Sequence, residues 1–263
     1  MSLTAPFPET GDAWVALKAQ LDALAAAGRS VAFWWRDDDA TEPSPALDRL
    51  LGLADRHRLP LALAVIPAGA GPALADRVRA CGTAWVLQHG WSHANHAADE
   101  AKSIELGGNR PAQDVTAELA MGRERLESLF AERFVPVLVP PWNRIDPDLL
   151  PVVAAMGYPV VSVDGEGDGQ AVPRKVNVHL DPIDWNNGRR FAGEDTLIRA
   201  CGRALHRRRE GPGDREEPVG IMTHHWVHDD ALWVVLDRLL GTLAGHAAVR
   251  WPGPHELFGI GGR

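Results

Sequence analysis

An α/β fold of the (β/α) barrel kind is what this sequence predicts, and three observations predict it. Short apolar runs rich in β-branched and aromatic residues recur along the chain: Val31 to Trp35, Leu61 to Ile66, Thr83 to Leu87, Phe134 to Val139, Tyr158 to Val163, Lys175 to Leu180 and Val219 to Thr223. Stretches of helical period separate most of them, which implies parallel strands covered on both faces. Polar clusters follow the runs that end near Trp35, Leu87, Val139, Leu180 and Thr223, and in a barrel those ends converge on one face. A doubly wound open sheet is the alternative, disfavoured because no glycine-rich phosphate loop follows any strand.

The helical stretches carry their own signals. A first amphipathic helix is expected from about Asp12 to Ala27, closed by Gly28. Pro45 to His57 and Pro72 to Ala80 each begin at proline, whose fixed φ suits the first helical position. Gln113 to Phe130 and Glu194 to Arg209 are strongly helical, Asp146-Pro147 opens a further helix, and Asp229 or Asp230 caps one that runs to about Leu243. Ala97 to Pro111 has no clear period and reads as a loop; with the loop around Gly165 to Val172 it could shape access to a site.

Bulk properties bound the function. A chain of 263 residues can form one α/β barrel, so a single domain over 1–263 is expected. The formal net charge of −8 argues against a broad phosphate-binding surface, hence against nucleic acid. The run Arg207-Arg208-Arg209 reads as a solvated helix end before the polar stretch Glu210 to Pro218. Cys81 and Cys201 lack metal or disulfide spacing and are expected to be buried thiols. No leader-like or membrane-spanning segment is legible, which points to the cytoplasm and to no membrane partner.

The strand-end clusters carry the chemistry. His89-Gly90-Trp91-Ser92-His93 brings two imidazoles to one side if the chain turns helically there, a weak signal for a metal by itself. Asp37-Asp38-Asp39 adds three carboxylates that repel one another unless a cation or an arginine neutralises them. Pro140-Pro141-Trp142-Asn143, Asp181-Pro182-Ile183-Asp184-Trp185 and Ile221-Met222-Thr223-His224 follow in order. Trp91, Trp142, Trp185 and Trp226 lie in or beside these clusters, where indoles can stack on sugar faces or simply pack the rim.

In their order and strand-end placement these five clusters, spread over roughly residues 31 to 230, resemble the strand-end motifs of the polysaccharide deacetylase family, which includes chitooligosaccharide deacetylases among the carbohydrate esterases. The resemblance implies an irregular seven-stranded barrel and a divalent metal, zinc foremost, held by Asp39, His89 and His93. It also implies hydrolysis of an acetyl or other acyl group from an N-acylated sugar by water activated on that metal. Asp38 would be the general base, the backbone N–H of Trp142 an oxyanion donor, His224 the acid and Asp184 the carboxylate that charges it. In a shifted register Asp37 and Asp38 take the base and ligand roles, and His225 is the rival acid, because neighbouring side chains of an extended segment face opposite ways. Trp91, Pro141, Asn143, Trp185 and His225 are the expected substrate contacts.

Two departures stand out. Val139 occupies the place where the family commonly has an arginine that orients the base, which leaves Arg36 and Arg144 as candidates to replace it. Gly90 stands where a hydroxyl residue commonly follows the first metal histidine. These departures keep two other readings open: hydrolysis of a small non-sugar amide, and a binding or regulatory protein that retains metal without turnover.

Overall fold

The structure, a computed structural model, describes residues 6–167, 172–210 and 217–261. Ten strands are present among them: β1 Val31–Ala40, β2 Leu61–Val65, β3 Ala84–His89, β4 Phe134–Val139, β5 Val160–Val161, β6 Arg174–Lys175, β7 Ile183–Asp184, β8 Arg190–Phe191, β9 Val219–Thr223 and β10 Val249–Arg250. The α-helices are α1 Ala13–Ala26, α2 Pro45–His57, α3 Pro72–Ala80, α4 Ala112–Phe130, α5 Leu150–Ala155, α6 Glu194–Glu210, α7 Asp230–Ala244 and α8 Pro254–Phe258. Asp12 caps α1 through the N–H groups of Trp14 and Val15, and Asp229 rather than Asp230 caps α7 through Leu232.

The strands of the main sheet are all parallel, in the order β10-β1-β2-β3-β4-β5-β6, with β9 on β1. The ring then closes through the chain that follows β6. Val176 and Val178 donate to Val161 and Val163 on one side, while His179 and Leu180 donate to Gly220 and Met222 donates to Leu180 on the other. Seven positions around the ring are thus joined by hydrogen bonds, and an open doubly wound sheet is excluded. The pair β7–β8 forms a separate antiparallel hairpin beyond Leu180, not anticipated from the sequence, and it stands at the mouth of the barrel.

The alternation of a strand divides β1 between two environments. Trp34 packs inside the barrel with Ala62, Leu87, Val137, Val176 and Met222, floored by Phe258 of α8. Phe33 and Trp35 face outward into the larger core formed with α1, α2, α3, α6 and α7. Gly220 lets the seam close, since a side chain there would come within 2.5 Å of both the Asn177 carbonyl and Trp34 Nε1, which themselves form a hydrogen bond of 3.0 Å.

Cys81 and Cys201 are free and buried, as expected. The reading of Arg207 to Arg209 as a solvated run fails at Arg208, which is 4 % exposed. Its guanidinium pairs with Glu166 at 2.7 Å and Glu217 at 3.1 Å and bonds the Glu217 carbonyl, tying α6 to the start of β9. His179 belongs to this cluster and not to the barrel mouth. The rest of the Glu210 to Pro218 stretch and the tip of the Gly165 to Val172 loop lie mostly outside the described residues. Among the described residues no helix is long and apolar enough to cross a membrane.

Replacing Gly220 by alanine is expected to destabilise the protein by about 1–3 kcal/mol through overpacking at the seam. Urea denaturation checks it, and an unchanged midpoint would contradict this account of the closure.

Candidate metal centre and active site

The three aspartates sit at the end of β1 and are each held differently. Arg36 and Asp38 share the interior face. Arg36 Nε lies 2.8 Å from Asp38 Oδ1 and Nη2 donates to Oδ2 at 2.9 Å. The guanidinium is fully buried. It spans the barrel to Ser162 Oγ at 2.8 Å, the Ser162 carbonyl at 3.1 Å and Asn143 Oδ1 at 2.7 Å. Of the two arginines considered beside Val139, Arg36 is the one that contacts Asp38, whereas Arg144 donates to the Ser103 carbonyl and lines the cleft.

Asp37 faces the other way, where its carboxylate accepts from Thr223 Oγ at 2.7 Å, from the His225 backbone N–H at 3.0 Å and from His225 Nδ1. This placement, with no hydrogen bond to His89 or His93, favours the register in which Asp38 and Asp39 are the cleft-facing pair. Consecutive strand residues would ordinarily point apart. The register against β2 shifts between Asp37 and Ala40, and Asp39 takes a left-handed φ of 69°. That bulge brings both Asp38 and Asp39 to the barrel mouth.

Asp39 Oδ1 lies 3.1 Å from His89 Nε2 and 3.3 Å from His93 Nε2. Ligand atoms about 2.0–2.1 Å from a tetrahedral zinc ion sit roughly 3.3–3.4 Å apart, so the spacing and the oxygen-nitrogen-nitrogen chemistry fit such an ion. His89 Nδ1 donates to the Val139 carbonyl at 2.9 Å, which leaves Nε2 facing Asp39. Trp226 Nε1 donates to the other oxygen, Asp39 Oδ2, at 3.2 Å. Burial would raise the Asp39 pKa, but the His89 hydrogen bond and the fields of His89, His224 and His93 outweigh it and hold the carboxyl well below its usual range. His93 is pushed down by burial and by the His89 charge, which favours the neutral imidazole.

These groups open into a cleft of about 940 Å³ lined by Asp38, Asp39, His89, His93, Trp142, Asn143, Asp181, Trp185, His224, His225 and Trp226, among others. Trp142 packs its ring on His93 at 4.2 Å between centroids. His93, Trp142 and Asn143 have φ of 55–57°, so several non-glycine residues of the site are held in a left-handed conformation that costs of order 1–3 kcal/mol each. His224 meets Trp185 edge to face at 4.7 Å. Both His224 and His225 reach the cleft, contrary to the expectation that only one could, because the strand stops at Thr223 and a 3-10 turn begins at His225.

Three expected contacts are corrected. Asp184 does not serve His224: half-buried at the end of β7, it accepts from the backbone of Asn186 and Asn187 and from the Asn187 amide. Asp181 lines the cleft together with His224, and burial raises it against the lowering effects of the Ile183 N–H, Trp185 Nε1 and the His224 charge. Trp91 is not among the cleft residues; its N–H is taken by Glu105 and its carbonyl by Ala68. Pro141 is buried behind the mouth against Gly90. Trp185 and Trp226 do border the cleft, 37 % and 49 % exposed. Glu105, absent from the sequence-based candidates, is fully buried beneath the His93 loop.

The Asp37–His225 pair ties the ends of β1 and β9 together. Burial raises Asp37, yet the charge and hydrogen bond of His225 win and lower it; burial lowers His225, yet Asp37 wins and raises it. Stability from His225 is full below its ordinary value and fades as pH rises through the raised folded value. Stability from Asp37 is full above its ordinary value and fades as pH falls through the lowered folded one. The pair thus contributes most between about pH 4 and 6.5. Asp37→Asn is expected to cost about 3–5 kcal/mol in that window, and less toward pH 3, as read by urea denaturation across pH. A loss independent of pH would contradict the ion-pair account.

A sequence model described as polysaccharide deacetylase matches residues 27–161, half of the chain. No curated protein matches significantly. In fold the chain is similar to a putative polysaccharide deacetylase from Mycobacterium smegmatis, with 16% identity, 88% of this chain and 90% of that one covered and a TM-score of 0.65. It is similar to a peptidoglycan N-acetylglucosamine deacetylase, with 14% identity, 89% and 91% coverage and a TM-score of 0.61. It is also similar to a family 4 carbohydrate esterase pseudoenzyme from Bacillus anthracis, with 12% identity, 87% and 66% coverage and a TM-score of 0.56. The family match encloses the aspartate run, both histidines and the Pro-Pro-Trp loop found at one barrel mouth, and the chain belongs to the polysaccharide deacetylase family.

Proposed function

We propose that this protein is a metal-dependent deacetylase that removes an acetyl group from an N-acetylated sugar. The observation that carries the reading is the convergence of Asp39, His89 and His93 within 4.8 Å, beside an Arg36-held carboxylate and two imidazoles in one cleft. A divalent ion there, zinc by the chemistry of the donors, would supply Lewis acidity toward water and the acyl carbonyl. Asp38 takes the proton of the attacking water, its carboxylate kept oriented by two points of contact with Arg36. The Trp142 N–H, on a backbone held at φ 55°, donates to the developing oxyanion. His224, packed against Trp185 and sharing the cleft with Asp181, gives a proton to the departing nitrogen, so that acetate and a free amine leave.

The sugar reading draws on the family, on the N-acetylglucosamine named for one structural neighbour, and on Trp185 and Trp226, whose exposed indoles offer flat apolar faces at the cleft. The pseudoenzyme among the neighbours defines the rival, a protein that keeps the fold without turnover.

About one divalent ion per wild-type chain, lost in the Asp39→Ala, His89→Ala, His93→Ala variant, is expected by elemental analysis. Acetate release from N-acetylglucosamine oligomers should accompany it. Metal without release from sugars or simple acetamides would replace the enzyme reading by the binding one. Absence of metal would sink the centre itself. Asp38→Asn is expected to retain the ion and lower kcat by about 10²–10⁴-fold; near-normal turnover would remove Asp38 from the chemistry.

A further inference from the structure

We infer that Glu105 is a positioning residue for the metal centre: its buried carboxylate builds the loop that presents His93. The inference rests on the metal reading above and goes beyond it, to a residue outside the five strand-end clusters.

Between His89 and His93 the chain must reverse tightly enough to aim both imidazoles at Asp39. It does so with Gly90 at φ 55° and His93 at φ 57°. Such a turn leaves its N–H groups pointing into the protein, where they need an acceptor. Glu105 supplies it: Oε1 accepts from the Ser92 N–H at 2.7 Å, the Ser92 hydroxyl at 3.1 Å and the Ala94 N–H at 3.4 Å, and Oε2 from the Trp91 N–H at 3.1 Å. One anion thus gathers the backbone of three of the four residues after Gly90. Hydrogen bonds to a charged acceptor are roughly twice as strong as neutral ones.

The glycine follows from the same arrangement. A Cβ at position 90 would land on the Glu105 carboxylate and 2.8 Å from Pro141. The space and the polar work that a hydroxyl side chain after the first histidine could provide are taken by a carboxylate arriving from fifteen residues downstream. Glu105 is itself anchored: Arg110 donates to its carbonyl and pairs with Glu118 of α4 at 2.7 Å, the Ile104 N–H is bonded by Asn95, and the Leu106 carbonyl accepts from the Asp146 N–H. Its negative charge also acts on His93, opposing the burial that lowers that imidazole.

The test separates this role from a general contribution to folding. Zinc affinity of the purified full chain, by competition with a chromophoric chelator, would be compared between wild type, Glu105→Gln and Ser92→Ala, with the thermal midpoint of each metal-free protein. Glu105→Gln turns an amide N–H₂ toward backbone donors and is expected to weaken zinc binding by about 10–100-fold, the range for residues that orient metal ligands. Ser92→Ala, which removes one of the four bonds and keeps the charge, is expected to fold and to weaken binding by a smaller factor in the same direction. A lowered midpoint with unchanged zinc affinity in the folded variants would overturn the proposal and leave the metal reading standing. If Glu105→Gln does not fold, unchanged affinity in Ser92→Ala overturns it. Wild type that binds no zinc would remove both.

Discussion

Three adjacent carboxylates at the end of one strand are the constraint on which the site depends. Left alone they would repel, and the strand end would fray or titrate. The fold gives each a separate partner in a separate direction: His225 and Thr223 for Asp37, Arg36 for Asp38, and the two histidines of the β3 loop for Asp39. Thr223 and His225 come from β9 and the turn after it, His89 and His93 from β3 and the loop after it, and Arg36 from β1 itself while its guanidinium reaches Ser162 after β5, so neutralising the aspartates also fixes how β9, β5 and β3 approach β1. A single tripeptide thus couples assembly of the barrel mouth to assembly of the chemistry.

The division works because of one irregularity. A regular strand would put Asp37 and Asp39 on one face and Asp38 on the other. The bulge before Ala40 and the left-handed Asp39 redirect the third carboxylate so that Asp38 and Asp39 share the cleft, while Asp37 stays behind in an ion pair with His225. Similar local departures recur at His93, Trp142 and Asn143. They are tolerated because packing and hydrogen bonding around them are dense: Trp142 lies on His93, and Asn143 is tied to Arg36.

What the sequence revealed follows from the length scale of each signal. Strands such as Leu61–Val65 and helices such as Pro45–His57 are written in runs of apolar period and in proline at helix starts, and they stand where expected. The order of the strand-end clusters was equally legible, since a parallel barrel converts sequence order into spatial convergence. Three features were not. The bulge at Asp39 leaves no compositional trace. Asp181 and Asp184 are both carboxylates of one short motif, and only the antiparallel β7–β8 turn, which claims Asp184 for Asn186 and Asn187, separates them. Glu105 lies in the aperiodic stretch after Ala97, where one buried carboxylate looks like any solvated one until its donors are seen.

Arg36 has a consequence for how such a centre can diverge. The cation that steadies Asp38 lies two residues away on the same strand and face, so the pair travels as one unit whenever β1 is in place. Where that cation is carried by the loop after β4, the loop must serve both the reacting groups and the bound molecule. Here the position of Val139 is released from carrying that charge, while Asn143 and Trp142 of the following segment still contact Arg36 and His93. Carrying the charge on the strand thereby relieves the loop of one requirement while keeping it tied to β1 through Asn143.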